Sequence, residues 1–470
     1  MIGLTGWSVY VPRWRLDRKL IGQAWGAPQP AGACAVGNYD EDALTMAAEA
    51  VRSVVGDDGQ AIGGLYFASA SAPYWEKQIA AVIATACDLP RQLVTADFGG
   101  SARAGTSAVL AAIRSAQAGA FAHAVVAAAD ARLAAPESEL EGLLGDAAAA
   151  VRVGTRDVIA EFIDAASIAE EFTYLWRTDS ARFVQAYAGK FSNTFGYARD
   201  VGDAITSLLG RNRLAPTDIA KLALYSPDAR AAVDLAKSLG FDVKQQLPPP
   251  CANAIGCTGN AEALLQLAAV LESARPGDRI LVGSFGEGAD VLLFRVTDAI
   301  TRYQPATRLR DWIDSGVSLP SYQKYLKYRR VIESDEPGEA IFNILEFKEL
   351  KQDVRLYGSR CEQCGTVQYP IARVCIQCKG RALPDHRLAR AGTVFTFTVD
   401  HLIANIDHPL IMAVIDLDDG GRVYLQTTDA AADGVQVGTR VTLAFRRLHE
   451  GGGNHNYFWK ARPVRVRGEA

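Results

Sequence analysis

The chain has 470 residues, enough for two or three domains with sizeable hydrophobic cores. Its 49 basic and 53 acidic side chains give a formal net charge of −4, so charge does not indicate nucleic-acid binding. Apolar runs stay well short of the roughly 18 residues of a membrane span, and the N-terminal stretch lacks the basic start of a signal peptide. We therefore expect a cytoplasmic protein with neither a membrane nor a nucleic-acid partner.

Residues 1 to about 300 alternate buried-strand patterns with helical periodicity, and the same unit occurs twice. Each copy predicts a helix, a strand, a helix and, after a glycine-rich segment, a further helix and strand. The first copy comprises Asp40–Val55, Gly64–Ser69, Lys77–Cys87, the helix opened by Gly99–Thr106, and Ala124–Ala129. The second comprises Tyr197–Leu209, Lys221–Ser226, Arg230–Leu239, Ala261–Ala274 and Arg279–Gly283. Duplicated βαβ units of this kind predict a layered α/β fold with a mixed sheet.

The composition changes after Asp298, where Tyr, Arg and Lys become frequent, as in Tyr322–Arg330. A basic, aromatic helix fits either nucleic-acid binding or an interdomain helix that packs its rings and solvates its charges. We favour the second interpretation. Residues 301–350 are accordingly predicted to be a helical linker.

Two Cys-x-x-Cys pairs follow, Cys361-Glu-Gln-Cys364 and Cys375-Ile-Gln-Cys378. Four thiolates at this spacing supply one tetrahedral site, and zinc is the ion that such sites usually hold. A mononuclear iron site uses the same ligands, and two disulfides are a further alternative. The set leaves no open position for a substrate, so we predict a structural metal. Cys34, Cys87, Cys251 and Cys257 are expected to be free thiols, as in a reducing compartment.

Short alternating runs separated by Gly and Asp turns follow the cysteines. They comprise Thr393–Val399, Leu410–Leu417, Arg422–Gln426 and Arg440–Phe445. This pattern predicts a small antiparallel barrel, an OB-fold. OB-folds often bind single strands, yet a basic groove with interleaved aromatic residues is missing from this sequence.

The glycine-rich segments of residues 1–300 resemble those of the thiolase superfamily, specifically the archaeal form of 3-hydroxy-3-methylglutaryl-CoA synthase. The resemblance is carried by Asp97–Thr106, Ile255–Asn260 and Arg275–Ala289. Residues 303–468 resemble the rubredoxin-type zinc ribbon and OB-fold domain that accompanies such enzymes. The segments that carry this resemblance are Tyr357–Cys361 and Gly392–Thr398.

This resemblance implies a duplicated thiolase-like fold, a coenzyme A ester as substrate and a homodimer. It also gives the predicted division of the chain. Thiolase-like halves cover 1–165 and 166–300, the linker 301–350, the zinc ribbon 351–384 and the OB-fold 385–470.

At three positions the chain departs from the residues that the resemblance implies. Ala70 stands where the family carries a glutamate, Ala102 where it carries the nucleophilic cysteine, and Tyr225 where it carries a histidine. An acyl group held on the enzyme requires a nucleophile such as cysteine. Aldol cleavage of a β-hydroxyacyl-CoA needs only an acid or base at the hydroxyl and donors to the thioester enolate, so we favour this reaction.

The candidate catalytic residues are Tyr225 in place of the histidine, and Glu287 and Asp290 in and after the late glycine-rich loop. Two of them also have a structural alternative, a packed phenol for Tyr225 and a solvated turn residue for Glu287. Gly256 and Gly286 are predicted to bring backbone N–H groups to the thioester, and Arg230 to face the CoA phosphates or to be a surface charge.

Two other functions stay open. Cys257, in a loop position where the family usually has asparagine, is either a surrogate nucleophile for a condensing acyltransferase or a small buried residue. The chain is alternatively a non-catalytic scaffold that binds acyl-CoA.

Overall fold

The computed structural model describes residues 1–228, 230–332, 343–403 and 407–464. The chain divides into two compact units. The first comprises Met1–Gly37, Asp42–Ala84 and Leu89–Tyr325, and the second comprises Asn38–Glu41, Thr85–Asp88 and Leu326–Ala470. None of the helices among the described residues is both long enough and apolar enough to cross a bilayer.

The first unit contains fourteen strands among its described residues: β1 (Gly3–Tyr10), β2 (Trp14–Asp17), β3 (Ala33–Val36), β4 (Gly64–Ala68), β5 (Val94–Phe98), β6 (His123–Asp130), β7 (Ala147–Gly154), β8 (Ala160–Ala169), β9 (Leu175–Trp176), β10 (Gln185–Ala186), β11 (Lys221–Leu224), β12 (Arg279–Phe285), β13 (Gly288–Val296) and β14 (Val317–Ser318). Twelve α-helices lie among the described residues up to Tyr328, and the last of them extends past the boundary of the unit. They are α1 (Arg18–Trp25), α2 (Ala43–Val55), α3 (Ile79–Ala86), α4 (Ala104–Gln117), α5 (Gly189–Ser192), α6 (Arg199–Asn212), α7 (Ala231–Ser238), α8 (Val243–Gln246), α9 (Ala252–Ile255), α10 (Glu262–Leu271), α11 (Leu309–Asp314) and α12 (Tyr322–Tyr328). A π-helix covers Asn193–Ala198, and short 3-10 helices cover Gly59–Ala61, Pro216–Asp218, Gly259–Ala261 and Asp298–Arg302.

Nine strands form one mixed sheet in the order β11-β12-β13-β8-β1-β7-β6-β4-β5. The predicted duplication is visible in this order, because β4, β6, β7 and β1 of the first half correspond to β11, β12, β13 and β8 of the second. The halves join where β1 pairs antiparallel with β8, and the predicted division at residue 165 lies within β8. Both halves therefore share one continuous sheet.

Helices α4 and α10 pack against each other and against the sheet, and they carry the small residues that let them approach closely. A Cβ atom on Gly105 would lie 2.5 Å from the carbonyl oxygen of Asn260, so only glycine fits where α4 begins. The glycine-rich segments that precede both helices thus meet at one end of the sheet.

The second unit contains α13 (Asn343–Asp353) and two sheets. The first has the order β16-β15-β17 and the second the order β20-β19-β18-β21-β22. The strands are β15 (Tyr357–Arg360), β16 (Val367–Gln368), β17 (Asp385–Arg387), β18 (Ala391–Asp400), β19 (Leu410–Leu417), β20 (Arg422–Gln426), β21 (Arg440–Gly451) and β22 (Asn454–Pro463), with a 3-10 helix at Ala432–Gly434. A bridge between Thr427 and Ala461 joins the end of β20 to β22, as closure of a barrel requires.

Part of the predicted linker 301–350 is helical, in α11, α12 and α13, and its residues 333–342 lie outside the described residues. The first predicted helix begins at Ala43 rather than Asp40, because the Asp42 side chain caps it by accepting from the Thr45 amide. Asp40 instead forms an ion pair with Lys460 at 3.0 Å inside the second unit.

Candidate functional site

The segment Ser101–Arg103 precedes α4, and the turn between β12 and β13 lies directly against it. The Ser101 hydroxyl donates to the carbonyl oxygen of Gly286 at 3.1 Å. A Cβ atom on Gly286 would lie 2.5 Å from Ser101 Oγ and 3.0 Å from the backbone nitrogen of Ala102. A side chain at position 286 would therefore displace the Ala102 segment, so glycine is required there.

The buried carboxylate of Asp130, at the end of β6, ties two further segments to this position. Its Oδ1 accepts from the Ala70 amide at 2.8 Å, and its Oδ2 accepts from the Asn260 amide at 2.8 Å. The Asn260 side chain in turn donates to the carbonyl oxygen of Ser101 at 3.1 Å and accepts from the Gly105 amide at 3.0 Å. The segments that carry Ala70 and Ala102 are thus both held by the Asp130–Asn260 pair.

Asp290 on β13 anchors the start of α4. Its Oδ1 lies 3.1 Å from Arg103 Nη1, and its Oδ2 accepts from the hydroxyl groups of Thr106 at 3.2 Å and Ser107 at 2.6 Å. Both oxygens of this buried carboxylate are therefore engaged by the helix that follows Ala102. The structure brings the predicted residue Asp290 to the site region as a holder of that helix.

Glu287 occupies the tip of the turn that covers the Ala102 segment, with a φ of +46° that L residues rarely adopt. Its carbonyl oxygen accepts from the Glu170 amide at 3.2 Å and from Arg103 Nη2 at 3.3 Å. Within the described part of the chain, its buried Oε2 atom has no hydrogen-bond partner. A carboxylate oxygen in this state retains the capacity to accept a proton from a ligand.

Tyr225 follows β11 and is completely buried. Its hydroxyl lies 3.5 Å from the Tyr174 hydroxyl and accepts from Cys257 Sγ at 3.6 Å, while its carbonyl oxygen accepts from the Tyr197 hydroxyl at 2.7 Å. Burial raises the pKa of Tyr225 well above its ordinary value. The phenol is therefore neutral and keeps its proton available for a hydrogen bond.

Cys257 lies beside Tyr225 and contacts Arg132. Arg132 Nη2 donates to the Cys257 carbonyl oxygen at 3.0 Å and lies 3.5 Å from its Sγ. Burial raises the pKa of the Cys257 thiol to about 11 even though Arg132 opposes the shift. Since the thiolate is the nucleophilic form, this cysteine is a poor nucleophile near neutral pH.

Glu262, at the start of α10, is a further buried titratable group of this cluster. Its carboxylate oxygens accept from the amides of Ser226 and Thr258, each at 3.2 Å. Burial raises its pKa from 4.5 to about 7, although these hydrogen bonds oppose the shift.

This shift predicts a pH dependence of stability. At pH values below about 4.5 the carboxyl group is protonated in both folded and unfolded chains and has no effect, whereas from there to about pH 7 the unfolded chain ionises first. We therefore expect the free energy of unfolding of the first unit to fall by about 2 to 3 kcal/mol across that range relative to Glu262→Gln. Urea titrations followed by tryptophan fluorescence measure the difference. A pH-independent difference would refute the raised pKa, and the exposed Glu139→Gln variant provides the control.

Three further residues were predicted to contact the coenzyme A ester, namely Arg230, Gly256 and Gly286. Arg230 is exposed at the start of α7, where its amide donates to Asp228 Oδ1 at 2.7 Å. The amide of Gly256 donates to the carbonyl oxygen of Ala252 at 3.1 Å, and that of Gly286 to the carbonyl oxygen of Gly288 at 3.0 Å. Neither glycine amide is therefore spare in this conformation.

In the second unit, the four cysteines of the predicted metal site come together. Their Sγ atoms lie within 4.8 Å of one another, with 3.5 Å between Cys361 and Cys378 and 3.6 Å between Cys364 and Cys375. Ligand sulfurs around a tetrahedral zinc, at Zn–S distances of about 2.3 Å, have this spacing. All four are free thiols, so the disulfide alternative is not realised. The donor set fits one closed structural zinc site.

Sequence reasoning did not identify Asp130, Arg132, Tyr174 or Glu262 as members of the site. Asp130 and Arg132 follow the end of the predicted strand Ala124–Ala129, which is a position where polar residues often serve a site. Tyr174 had no such signal, because its partner Tyr225 is 51 residues away, and Glu262 had none, because its raised pKa comes from burial that the sequence does not specify.

Comparison with known proteins supports both units. A family model described as "ChsH2, rubredoxin-like zinc ribbon domain" matches residues 349–384, and one described as "ChsH2, C-terminal OB-fold domain" matches residues 385–446. The predicted ribbon and barrel are confirmed.

The chain also matches curated hydroxymethylglutaryl-CoA synthases over about 70 % of its length. The protein of Aeropyrum pernix is 32 % identical over 340 residues, which cover 70 % of this chain and 94 % of that relative. The protein of Caldivirga maquilingensis is 30 % identical over 344 residues, which cover 70 % of this chain and 98 % of that relative. Among solved structures, "MvaS in complex with 3-hydroxy-3-methylglutaryl coenzyme A" has a TM-score of 0.64 at 20 % identity, covering 72 % of this chain and 94 % of that one. The predicted layered α/β fold is thereby confirmed.

Proposed function

Because the chain belongs to the hydroxymethylglutaryl-CoA synthase family of the thiolase superfamily, we propose that its first unit acts on a coenzyme A ester. The reaction that we propose is aldol-type cleavage of a β-hydroxyacyl-CoA into a carbonyl product and a shorter acyl-CoA. The reverse, an aldol addition, uses the same groups.

One observation carries this proposal. The segment around Ala102 is held on three sides, by Gly286, by Asn260 and by the Arg103–Asp290 pair, although residue 102 has no nucleophile. A site that had lost its function would not need three partly buried polar contacts to hold an alanine, and each such contact costs desolvation. An ordered loop without a thiol fits carbon–carbon chemistry that forms no acyl-enzyme.

In the proposed mechanism Glu287 acts as the base. Its unpaired Oε2 takes the proton from the β-hydroxyl group, the Cα–Cβ bond breaks, and the electron pair passes into the thioester enolate. The Tyr225 hydroxyl, which stays protonated, donates a hydrogen bond to the enolate oxygen. Return of the proton from Glu287 to Cα completes the shorter acyl-CoA.

Asp290 has a positioning role in this proposal, because both of its oxygens are engaged by Arg103, Thr106 and Ser107. Gly256 and Gly286 contribute by close packing of the loops, and we propose that Arg230, exposed at the start of α7, faces the phosphates of coenzyme A.

The condensing alternative requires an acyl group on a thiolate. Cys257 is the nearest candidate, and its pKa of about 11 opposes that role. Incubation of the purified protein with a panel of β-hydroxyacyl-CoA and β-ketoacyl-CoA esters, followed by mass spectrometry of the products, tests the proposal. We expect a carbonyl product and a shorter acyl-CoA from β-hydroxyacyl esters. Complete inactivity across the panel with binding intact would instead support a scaffold.

We further propose that zinc occupies the Cys361, Cys364, Cys375 and Cys378 site and stabilises the ribbon. Four protein ligands leave it no position for substrate, so it has no part in the chemistry.

We also propose that the first unit forms a homodimer through β5. This strand ends the sheet order, pairs only with β4 among the described residues, and carries Val94, which is 47 % exposed. Pairing with the same edge of a second copy would cover it. Light scattering should give twice the chain mass of 50.4 kDa for the wild type, and Val94→Lys should shift the protein towards monomer. Ile163→Lys, an exposed site on β8, is the control, and a wild-type monomer at micromolar concentration would contradict the proposal.

A further inference from the structure

Six aromatic side chains of the first unit form a continuous array that runs from Tyr225 to the protein surface. The array comprises Phe172, Tyr174, Tyr187, Phe191, Phe195 and Phe285. Neighbouring rings have centroids 5.3 Å apart for Tyr174 and Phe285, 6.4 Å for Phe285 and Phe172, and 5.8 Å for Phe172 and Phe191. Phe191 then contacts Phe195 at 4.9 Å and Tyr187 at 6.0 Å.

The outer end of the array is an exposed aromatic ridge made of Tyr187, Phe191 and Phe195. These side chains are 57 %, 45 % and 55 % exposed. Isolated exposed apolar residues are common on protein surfaces, whereas contiguous ones in ring contact usually mark a binding surface. The ridge lies on α5, on the π-helix and just before them, and π-helical turns occur frequently at functional sites.

Gly196 permits this packing. A Cβ atom at position 196 would lie 2.7 Å from a ring carbon of Phe172 and 2.8 Å from one of Phe285. The π-helix therefore lies directly on the inner rings of the array only because residue 196 has no side chain. The ridge is in this way fixed to the interior of the unit.

The inner end of the array is continuous with the candidate site. The Tyr174 hydroxyl lies 3.5 Å from that of Tyr225, and Phe285 immediately precedes Gly286, which covers Ala102. The Asn193 amide group, between Phe191 and Phe195, donates to Asp228. Asp228 lines a cavity whose apolar walls include Leu224, Val233, Leu247 and Pro250. Glu262 of the candidate site lines the same cavity.

We propose that the aromatic ridge binds an extended apolar acyl chain of the coenzyme A ester. This inference rests on the proposed function, since it names the class of acyl group that the same site takes. A small polar acyl group would end near Tyr225 and leave the ridge without a role, whereas a long chain would cover rings that are otherwise in water. Flat aromatic faces offer large apolar contact area to such a chain.

Equilibrium binding of non-reactive saturated esters tests the inference without turnover. Isothermal titration with coenzyme A, acetyl-CoA and octanoyl-CoA should show octanoyl-CoA binding at least about tenfold more tightly than acetyl-CoA, because each fully buried methylene contributes about a fourfold gain. Phe191→Ala and Phe195→Ala should each reduce that ratio severalfold, and Phe191→Leu should retain most of it. Tyr424→Ala, which removes a ring that is 60 % exposed in the second unit, should leave the ratio unchanged.

Two outcomes overturn the inference in distinguishable ways. Equal affinity for acetyl-CoA and octanoyl-CoA, with coenzyme A itself bound, would remove the acyl-chain site and leave the proposed function intact. Failure of coenzyme A and every ester to bind would remove the proposed function and the inference together. A change of mass in light scattering for Phe191→Ala, with the affinity ratio unchanged, would make the ridge a protein interface and also overturn it.

Discussion

Replacement of Glu287 by glutamine is expected to lower the kcat for cleavage of a β-hydroxyacyl-CoA by about 10² to 10⁴, the usual cost of losing a general base. Glutamine keeps the size of the side chain and tolerates the backbone as well as glutamate does, so the turn over Ala102 should persist. Affinity for the ester should change little, because the base acts on the reacting hydroxyl. Steady-state kinetics with a β-hydroxyacyl-CoA that the wild type cleaves measure kcat. Calorimetric titration with a saturated acyl-CoA, which cannot be cleaved, measures the affinity for the ester.

Tyr225→Phe is expected to cause a loss of similar size by removing the donor to the enolate oxygen while keeping the ring in its buried position. Cys257→Ala is the matched control at the neighbouring position, and its kcat should remain within a few fold of the wild type. Activity that survives both Glu287→Gln and Tyr225→Phe would remove these residues from the mechanism. A loss confined to Cys257→Ala would favour the condensing reaction.

Cys375→Ser is expected to abolish stoichiometric zinc binding and to unfold the ribbon locally. The ribbon has a few short strands and gains much of its folding free energy from the metal, for which small zinc domains show about 10 kcal/mol or more. The first unit should remain folded, since it has a hydrophobic core of its own. Metal analysis of protein purified without chelator, together with proteolysis of the variant, measures the two effects.

Cys251→Ser is the matched control, because Cys251 is a free thiol outside the ribbon. This variant should still bind one zinc per chain. Wild-type protein that contains neither stoichiometric zinc nor iron would contradict the metal site. Full metal content in Cys375→Ser would exclude Cys375 as a ligand.

Much of the fold follows from local sequence pattern. Strands with apolar alternation between clear turns were predicted with the bounds that the structure shows, as for Leu410–Leu417 and Arg422–Gln426. Other strands gave no such signal. Ala147–Gly154 is dominated by alanine, whose intrinsic preference is helical, and only its antiparallel pairing with β1 and β6 makes it a strand. Tertiary pairing of this kind cannot be read from local propensity.

The candidate site shows the same limit. The cysteine spacing predicted the ligand set of the ribbon because all four ligands lie close in sequence. Asp290 was predicted as an acid or base from its place after a glycine-rich loop, yet its surroundings depend on Arg103, Thr106 and Ser107, more than 180 residues earlier. Glu262 acquires its raised pKa from burial, which sequence does not specify.

Intact-protein mass spectrometry during turnover tests the central claim, that a carbon–carbon bond is cleaved without an acyl-enzyme. The protein is mixed with an excess of a cleaved β-hydroxyacyl-CoA and quenched in acid at times from below one turnover to many. We predict that the carbonyl product and shorter acyl-CoA accumulate while the protein keeps its unmodified mass. An added acyl mass that forms and decays at the rate of turnover, on Cys257 or any other residue, would contradict this account.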